Sequence, residues 1–381
     1  MKLLHSIRCY ATCTRVLLCL LASGLCHSVM VPPAGSQSIT KDKWSPELAA
    51  IVSQAEKEGE FNLSWGNLTL GGPQGVKAFE GGFNKHFGTN IRFNYTPGRP
   101  FGSQAAKLAE EYAAGTKAFM DIALSGVGQT GFFTDKKILL PLNWDTIVPH
   151  VPQGILKNII SPDKTLITFV SRIKTIVFNS NLISKDRAPR SMQDLLDPKW
   201  RGKVATTPYA AGFETLGDES SWGEARTIEY ARSLSQNLGG LMRCGEFERL
   251  TSGEFWIFAI ECEPGTIQKQ IDRGAPLGQV VPRDLLQIDH WWLGVPKHSR
   301  NPNVAKLFIS FLMTQAGQRI LFQQQGEDLH YLEGSRVGSR VAEVQKMVGQ
   351  QFDDLTIQRV LNQKNKDDVR EAVIKIFAQK K

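Results

Sequence analysis

R-I-K-T-I-V-F-N-S-N-L-I-S-K-D-R-A-P-R-S-M-Q-D-L-L-D-P-K-W-R-G-K-V-A-T-T-P, residues Arg172 to Pro208, decides the reading of the chain. Ile173 and Thr175–Phe178 form an apolar, β-branched run, which predicts a buried strand. Asn179-Ser180-Asn181 ends it with turn-forming side chains. Ser191 is placed to cap a short helix over Met192–Leu196, and Asp197-Pro198 stops that helix. Lys199-Trp200-Arg201-Gly202 reads as a turn, and Lys203–Thr206 opens a new strand. Pro208 falls just past it, where a missing amide proton does no harm.

Working outward toward the N-terminus, the pattern is β-α-β-α-β. Strands are expected at Phe61–Trp65, Ile91–Tyr95 and Met120–Leu124, with helices at Gln74–Phe87 and Ser103–Ala114. Val76, Phe79, Phe83 and Phe87 make a helical stripe. Alternation of this kind implies a parallel sheet covered by helices. On the C-terminal side, Trp222–Leu238 and Thr266–Arg273 read as helices, and Glu254–Ile260, Leu277–Pro282 and Leu286–Val295 as strands.

The order of these pieces resembles the solute-binding proteins of bacterial ABC importers, in the branch that includes ferric-iron-binding proteins. The match rests on D-L-L-D-P-K-W-R-G-K (Asp194–Lys203), on Lys137–Leu142 before it, and on Leu277–Pro282 and Asn303–Thr314 after it. The resemblance spans about Phe61–Gly326. It implies an α/β fold of the two-lobed, type II periplasmic-binding-protein kind. Each lobe would be a mostly parallel sheet flanked by helices, and two crossing hinge strands would join the lobes. The expected division is a signal peptide at 1–28 and a leader at 29–43. The first lobe takes 44–171 with 290–326, the second 172–289 including the hinge strands, and a helical extension 327–381. Val341, Val344, Met347 and Val348, then Val369, Val373, Ile376 and Phe377, mark the helical stripes of that extension.

The 381 residues are 41% hydrophobic and 22% charged, within the range of globular proteins. The formal net charge is +8. Lys2, Arg8 and Arg15 belong to an N-terminal segment whose apolar core, Val16–Leu21, is too short to span a bilayer. Small residues follow at Ala22–Gly24. This pattern predicts a cleaved signal and a periplasmic location, with lipid attachment at Cys26 disfavoured by the bulky Leu25 before it. No basic run is interleaved with aromatics, so charge does not point to nucleic acid. Four of the six cysteines fall in or beside the signal. Cys244 and Cys262 remain, and in an oxidising compartment they are expected to pair.

Ligands of open α/β sheets meet the loops at the carboxyl ends of strands. That places Trp65, Asn67, Thr69, Ser125 and Gly126 on the first lobe and Thr207, Tyr209 and Glu261 on the second. Arg172, Asp289 and His290 lie along the hinge. Gly126–Gly131 also fits G-x-G-x-x-G, but on the third strand, without the acidic residue a dinucleotide site needs. Hydrogen-bonding loops with aromatic neighbours suit a small polar organic solute, with Arg172 placed to clamp an anionic one. The expected partner is a membrane permease, with the protein a monomer. No cofactor, metal site or catalytic residue is assigned. A ferric-iron reading competes, but the sequence has no adjacent tyrosine pair, and Glu261-Cys262 stands where the ferric branch carries one. An exported hydrolase is the reading from another class. No nucleophile elbow, H-E-x-x-H or activated Cys–His arrangement supports it.

Overall fold

The computed structural model describes residues 44–98 and 100–380. The expected signal segment and leader lie outside the described residues. Helix α1 (Pro46–Glu58) starts where Ser45 Oγ accepts the Leu48 amide, and it ends at Gly59 with φ of 72°. Strand β1 (Glu60–Trp65), helix α2 (Gly72–Phe87), strand β2 (Arg92–Pro97) and helix α3 (Phe101–Ala113) form a β-α-β-α run. β1 and β2 pair in parallel, with Phe61 opposite Phe93. The predicted stripe Val76, Phe79, Phe83 and Phe87 is buried against them. The chain then runs beside β1, where the Asp121 amide donates to Asn62 O at 2.9 Å, and enters strand β3 (Ala123–Ser125) and helix α4 (Val127–Lys136). Short helices α5 (Trp144–Ile147) and α6 (Gln153–Ile159) precede the crossing.

The crossing is made by β4 (Ile167–Ile173) and β5 (Thr175–Asn179). The strand expected from the sequence is thus two strands, broken at Lys174. The Lys174 amide still donates to Gln287 O at 3.1 Å, in register with the partner of Ile173, and Thr175 then joins a different sheet opposite Glu261. Ser191 Oγ accepts the Asp194 amide at 3.1 Å, capping a 3-10 turn rather than an α-helix. Asp197 Oδ1 starts a second such turn through the Lys199 amide.

The second lobe holds β6 (Val204–Thr206), α7 (Phe213–Leu216), α8 (Glu224–Ser235), β7 (Leu238–Leu241) and α9 (Glu248–Thr251). β8 (Ile257–Glu261), α10 (Pro264–Asp272) and β9 (Leu277–Val280) complete it. Its sheet order is β7-β6-β8-β5-β9. β6 pairs in parallel with β7 and β8, whereas β5, arriving from the other lobe, is antiparallel to β8 and β9. The helix expected over Trp222–Leu238 stops early. Leu238 begins β7, because Gly239 and Gly240 let that strand approach the turn at Gly202: a Cβ on Gly239 would meet Gly202 O at 2.2 Å.

The return strand β10 (Gln287–Gly294) is antiparallel to both β4 and β3. Helices α11 (Pro302–Leu312) and α12 (Gln315–Gln325) close the first lobe, and α13 (Arg336–Val348) follows. The two-residue β11 (Asp353–Asp354) pairs with β10, then α14 (Ile357–Asn362) and α15 (Lys366–Phe377) end the described chain. One apolar core joins α1, α2 and β1 to α11 and α12. The second lobe has two apolar clusters of its own, one of which takes in Val369, Val373 and Phe377 of α15 and the other Val177, Ala205, Phe258 and Ile267. The two-lobed fold with crossing strands is therefore present.

Candidate functional site

The floor of the cleft is built by strand alternation on β10. Successive side chains of a strand face opposite sides. Asp289 and Trp291 face one side and His290 and Trp292 the other. Asp289 holds two cations from the crossing strand: Arg172 Nη2 lies 2.8 Å from Oδ1, and Lys174 Nζ lies 3.2 Å from Oδ2. All three are buried. Burial works against the Asp289 charge, but Arg172 and Lys174 outweigh it and hold the carboxyl below its usual range. The Arg172 guanidinium stacks 4.3 Å over the Trp291 ring, and Nη1 donates to Cys262 O at 2.5 Å. Arg172 thus meets protein acceptors through Nη1 and Nη2, while its buried Nε has no hydrogen-bond partner among the described residues.

His290 lies on the opposite face from Arg172. Its Nε2 is 2.7 Å from Asp354 Oδ1, and its ring stacks 5.6 Å from that of His330. It belongs to the packing of the C-terminal extension. Trp292 lies on the same side, buried with Val127, Leu355 and Ile357.

The second-lobe wall begins where β8 ends. Glu261 is 1% exposed; its Oε1 accepts the Glu263 amide at 2.7 Å and its Oε2 the Gly245 amide at 3.4 Å. Burial pushes the Glu261 carboxyl up to about 8. The Cys244–Cys262 disulfide is formed, with Cα atoms 5.6 Å apart. It staples the segment after β7 to the end of β8, beside Glu261. Both sulfurs are used in that bond, so the Cys244-Glu261-Cys262 group is no thiolate metal site. Tyr209 is half exposed; its hydroxyl accepts the Cys244 amide at 3.1 Å, and burial pushes it up to about 12. Thr207 is buried, with its hydroxyl accepting the Ala211 amide at 2.7 Å.

On the first-lobe wall, Trp65 is buried with its ring 5.7 Å from Tyr95, and its Nε1 has no hydrogen-bond partner. Thr69 is buried under the loop, Asn67 is exposed, and Leu68 is 48% exposed. Ser125 is buried and its hydroxyl donates to Gly126 O. Gly126 opens α4 directly beneath Trp291: a Cβ there would lie 3.7 Å from the indole ring. Phe101 packs edge-on to Trp291 at 5.3 Å.

The lobes touch beside this floor. Gly265 at the start of α10 and Gly326 after α12 approach so closely that a Cβ on Gly265 would meet Gln325 O at 2.5 Å. Gln325 Oε1 accepts the Leu70 amide, and its Nε2 reaches Thr266 Oγ1. Gly265 N donates to Glu327 Oε1 at 3.1 Å. Sequence reading missed Lys174, Glu263 and Glu327, which join Arg172, Glu261 and Asp289 at this junction. The signal for Glu263 was the E-C-E-P turn itself; Glu327 carried none, since only the fold brings Gly326-Glu327 back to α10.

A profile described as bacterial extracellular solute-binding protein matches residues 76–327. An uncharacterised protein of Haemophilus influenzae is 27% identical over 196 residues, 48% of this chain and 56% of that one. The chain therefore spans little more than half of that relative. The major ferric iron-binding protein of Neisseria meningitidis is 23% identical over 261 residues, covering 65% of this chain and 75% of its own. The crystal structure of an ABC-transporter substrate-binding protein from Agrobacterium tumefaciens superposes with a TM-score of 0.65 at 15% identity. It covers 82% of this chain and 93% of its own.

Proposed function

The chain belongs to the bacterial extracellular solute-binding proteins, and from that premise we propose that it captures one small polar organic solute between its lobes and delivers it to the membrane permease of an ABC importer. Export through a cleaved N-terminal signal, action in the periplasm as a monomer, and binding without turnover belong to the same reading. The observation that carries it is the hinge junction. Arg172 and Lys174 on the crossing strand and Asp289 on the return strand form one buried ion cluster, with Cys262 O of the second lobe tied to the same guanidinium. A ligand that adds contacts to both walls favours the closed arrangement in proportion to its preference for it.

The Neisseria relative is named for ferric iron, and hard oxygen donors are what Fe(III) requires. Here the one tyrosine named on the cleft wall, Tyr209, uses its oxygen to accept an amide and is held protonated. The donor set favours an organic solute over iron.

Small-angle scattering tests the reading. Adding a binding solute to saturation is expected to reduce the radius of gyration and to raise the unfolding temperature with solute concentration. Scattering that stays the same while the solute demonstrably binds would remove lobe closure from the account.

A further inference from the structure

His290 is fully buried on the face of β10 opposite Arg172, outside the proposed solute site. Both of its ring nitrogens face acceptors: Nε2 lies 2.7 Å from Asp354 Oδ1, and Nδ1 lies 3.3 Å from Val170 O. A ring so placed satisfies both only with a hydrogen on each nitrogen, as an imidazolium. Its neighbour is set the other way. Ser171 Oγ accepts the His330 amide at 3.1 Å and keeps its own hydrogen for His330 Nδ1, 2.7 Å away. His330 Nδ1 is therefore an acceptor, and that ring is neutral with its hydrogen on Nε2, 3.8 Å from Asp354 Oδ2. The two rings stack 5.6 Å apart, and the Tyr331 hydroxyl also donates to Asp354 Oδ2. Asp354 belongs to the two-residue β11, flanked by the Asp353 and Leu355 amides that bond Leu286 O and Ile288 O of the return strand segment. From β11 the chain enters α14, whose Ile357 and Val360 pack with Trp292 of the first lobe, and then α15 in the second-lobe core. The Asp354 carboxylate thus fastens to a hinge strand a segment that is anchored in both lobes.

We propose that His290, His330, Tyr331 and Asp354 form a proton-operated latch: with His290 charged and His330 neutral it holds β11 against β10, and a further proton taken by His330 releases β11 and frees the hinge. That proton removes the acceptor of Ser171 Oγ and sets two like charges face to face in a buried stack. Burial, and then the neighbouring His290, hold His330 down at about 4, against an upward pull from Asp354. Between about 4 and the ordinary 6.5 the folded state therefore binds fewer protons at this ring than the unfolded one. The contribution of the latch is full above 6.5 and lost as pH falls toward 4. Burial works against the Asp354 charge, but the bonds from His290 and Tyr331 outweigh it and hold the carboxyl below its ordinary range, so it stays the anion through that window. The other charged groups near the stack are engaged elsewhere. Across β10, Asp289 also attracts His290, but its oxygens are spent on Arg172 and Lys174. Asp353 pairs with Arg359 of α14. Before α13, Glu327 accepts the Gly265 amide, Asp328 accepts Ser335 Oγ and the Val337 amide, and Glu333 is exposed. On α13, Arg336 lies over the Phe322 ring and Arg340 is drawn to Glu343.

The test is NMR of the whole protein with 15N-labelled histidine, joined to amide hydrogen exchange of the wild type and H330N from pH 7 to 4.5. Asparagine offers Ser171 an acceptor and does not titrate. At pH 7 the ring shifts are expected to show His290 with hydrogen on both nitrogens and His330 with hydrogen on Nε2 alone. As pH falls to 4.5, the protection factor of the Leu355 amide is expected to drop at least about tenfold in step with His330 protonation, while the β1–β2 ladder stays protected. In H330N that drop is absent. A neutral His290 at pH 7 would overturn the latch, as would Leu355 protection that persists while His330 takes its proton. A drop in H330N equal to that of the wild type would assign the sensing to another group and overturn it too. Loss of β1–β2 protection together with that of Leu355 would mean global acid unfolding rather than release. Should H330N fail to fold, the wild-type titration decides alone. No solute enters these readings, so a failed latch leaves solute capture untouched.

Discussion

Asp121 shows how much one side chain organises. It is fully buried, and Oδ1 accepts Ser299 Oγ and the amides of Arg300 and Asn301. Oδ2 accepts the Asn62 amide and the side-chain amides of Asn62 and Asn301. It thereby ties β1 to the turn after β10. Asp121→Ala strands several buried donors and is expected to lower the unfolding free energy by about 3 kcal/mol or more, read from the urea midpoint. Titration at the junction makes a second prediction. Glu261 shifts from an ordinary 4.5 to about 8, so between those values the folded state binds more protons than the unfolded one. Its stabilising effect is present below about 4.5 and lost as pH rises to about 8. Thermal unfolding of the solute-free protein followed from pH 5 to 8.5 should show that decline, shallower in E261Q; an unchanged slope in E261Q would contradict it. At this scale the sequence was partly legible. Glu261, Arg172 and Asp289 could be placed because loop ends and hinge strands follow from pattern. His290 could not be assigned a side, because alternation fixes only that neighbours differ and not which of them faces the cleft.

Among the elements, the C-terminal extension departs most from expectation. The sequence marked its helices, but not that they bridge the molecule. Gln358 Nε2 donates to Lys157 O and Ile160 O beside α6, whereas Gln363 Nε2 reaches Glu214 O and Asn365 Nδ2 reaches Gly217 O in the second lobe. Val369 packs so close to Gly217 that a Cβ there would meet it at 2.6 Å, and Phe377 lies edge-on to Phe213 at 5.2 Å. α15 is thus part of the second-lobe core. Phe377→Ala should cost about 3–5 kcal/mol, visible as an earlier denaturant midpoint. A change under 1 kcal/mol would show that α15 adds little. Of the expected stripe of α13, Val341 is buried and Val344 and Val348 are half-buried, but Met347 is 74% exposed, and the buried partner of Val341 is Val337 one turn earlier. Helical spacing gives the face of a helix, but which turns of that face meet a neighbour depends on chain far away in sequence. The break at Lys174 escaped pattern reading for a similar reason. The β-branched run is continuous, and only partners more than eighty residues on divide it: Ile173 and the Lys174 amide pair with β10, whereas Thr175 joins the second-lobe sheet opposite Glu261.

Across the described residues, each lobe has its own apolar packing, crossing strands join the lobes and the C-terminal extension spans them, with acidic groups gathered where the lobes meet. The fold was legible because long motifs appear in an order that only one architecture accommodates. The charge of the cleft was not, because net charge counts the whole surface, whereas Glu263 and Glu327 meet only through the fold. The most direct test of solute capture is native mass spectrometry of the purified protein, incubated with a mixed panel of amines, amino acids, organic acids, sugars and ferric citrate, then denatured to release what it holds. The account predicts a single one-to-one complex with one small polar organic solute, recovered chemically unchanged. No complex with any compound, or recovery of a transformed compound, would contradict it.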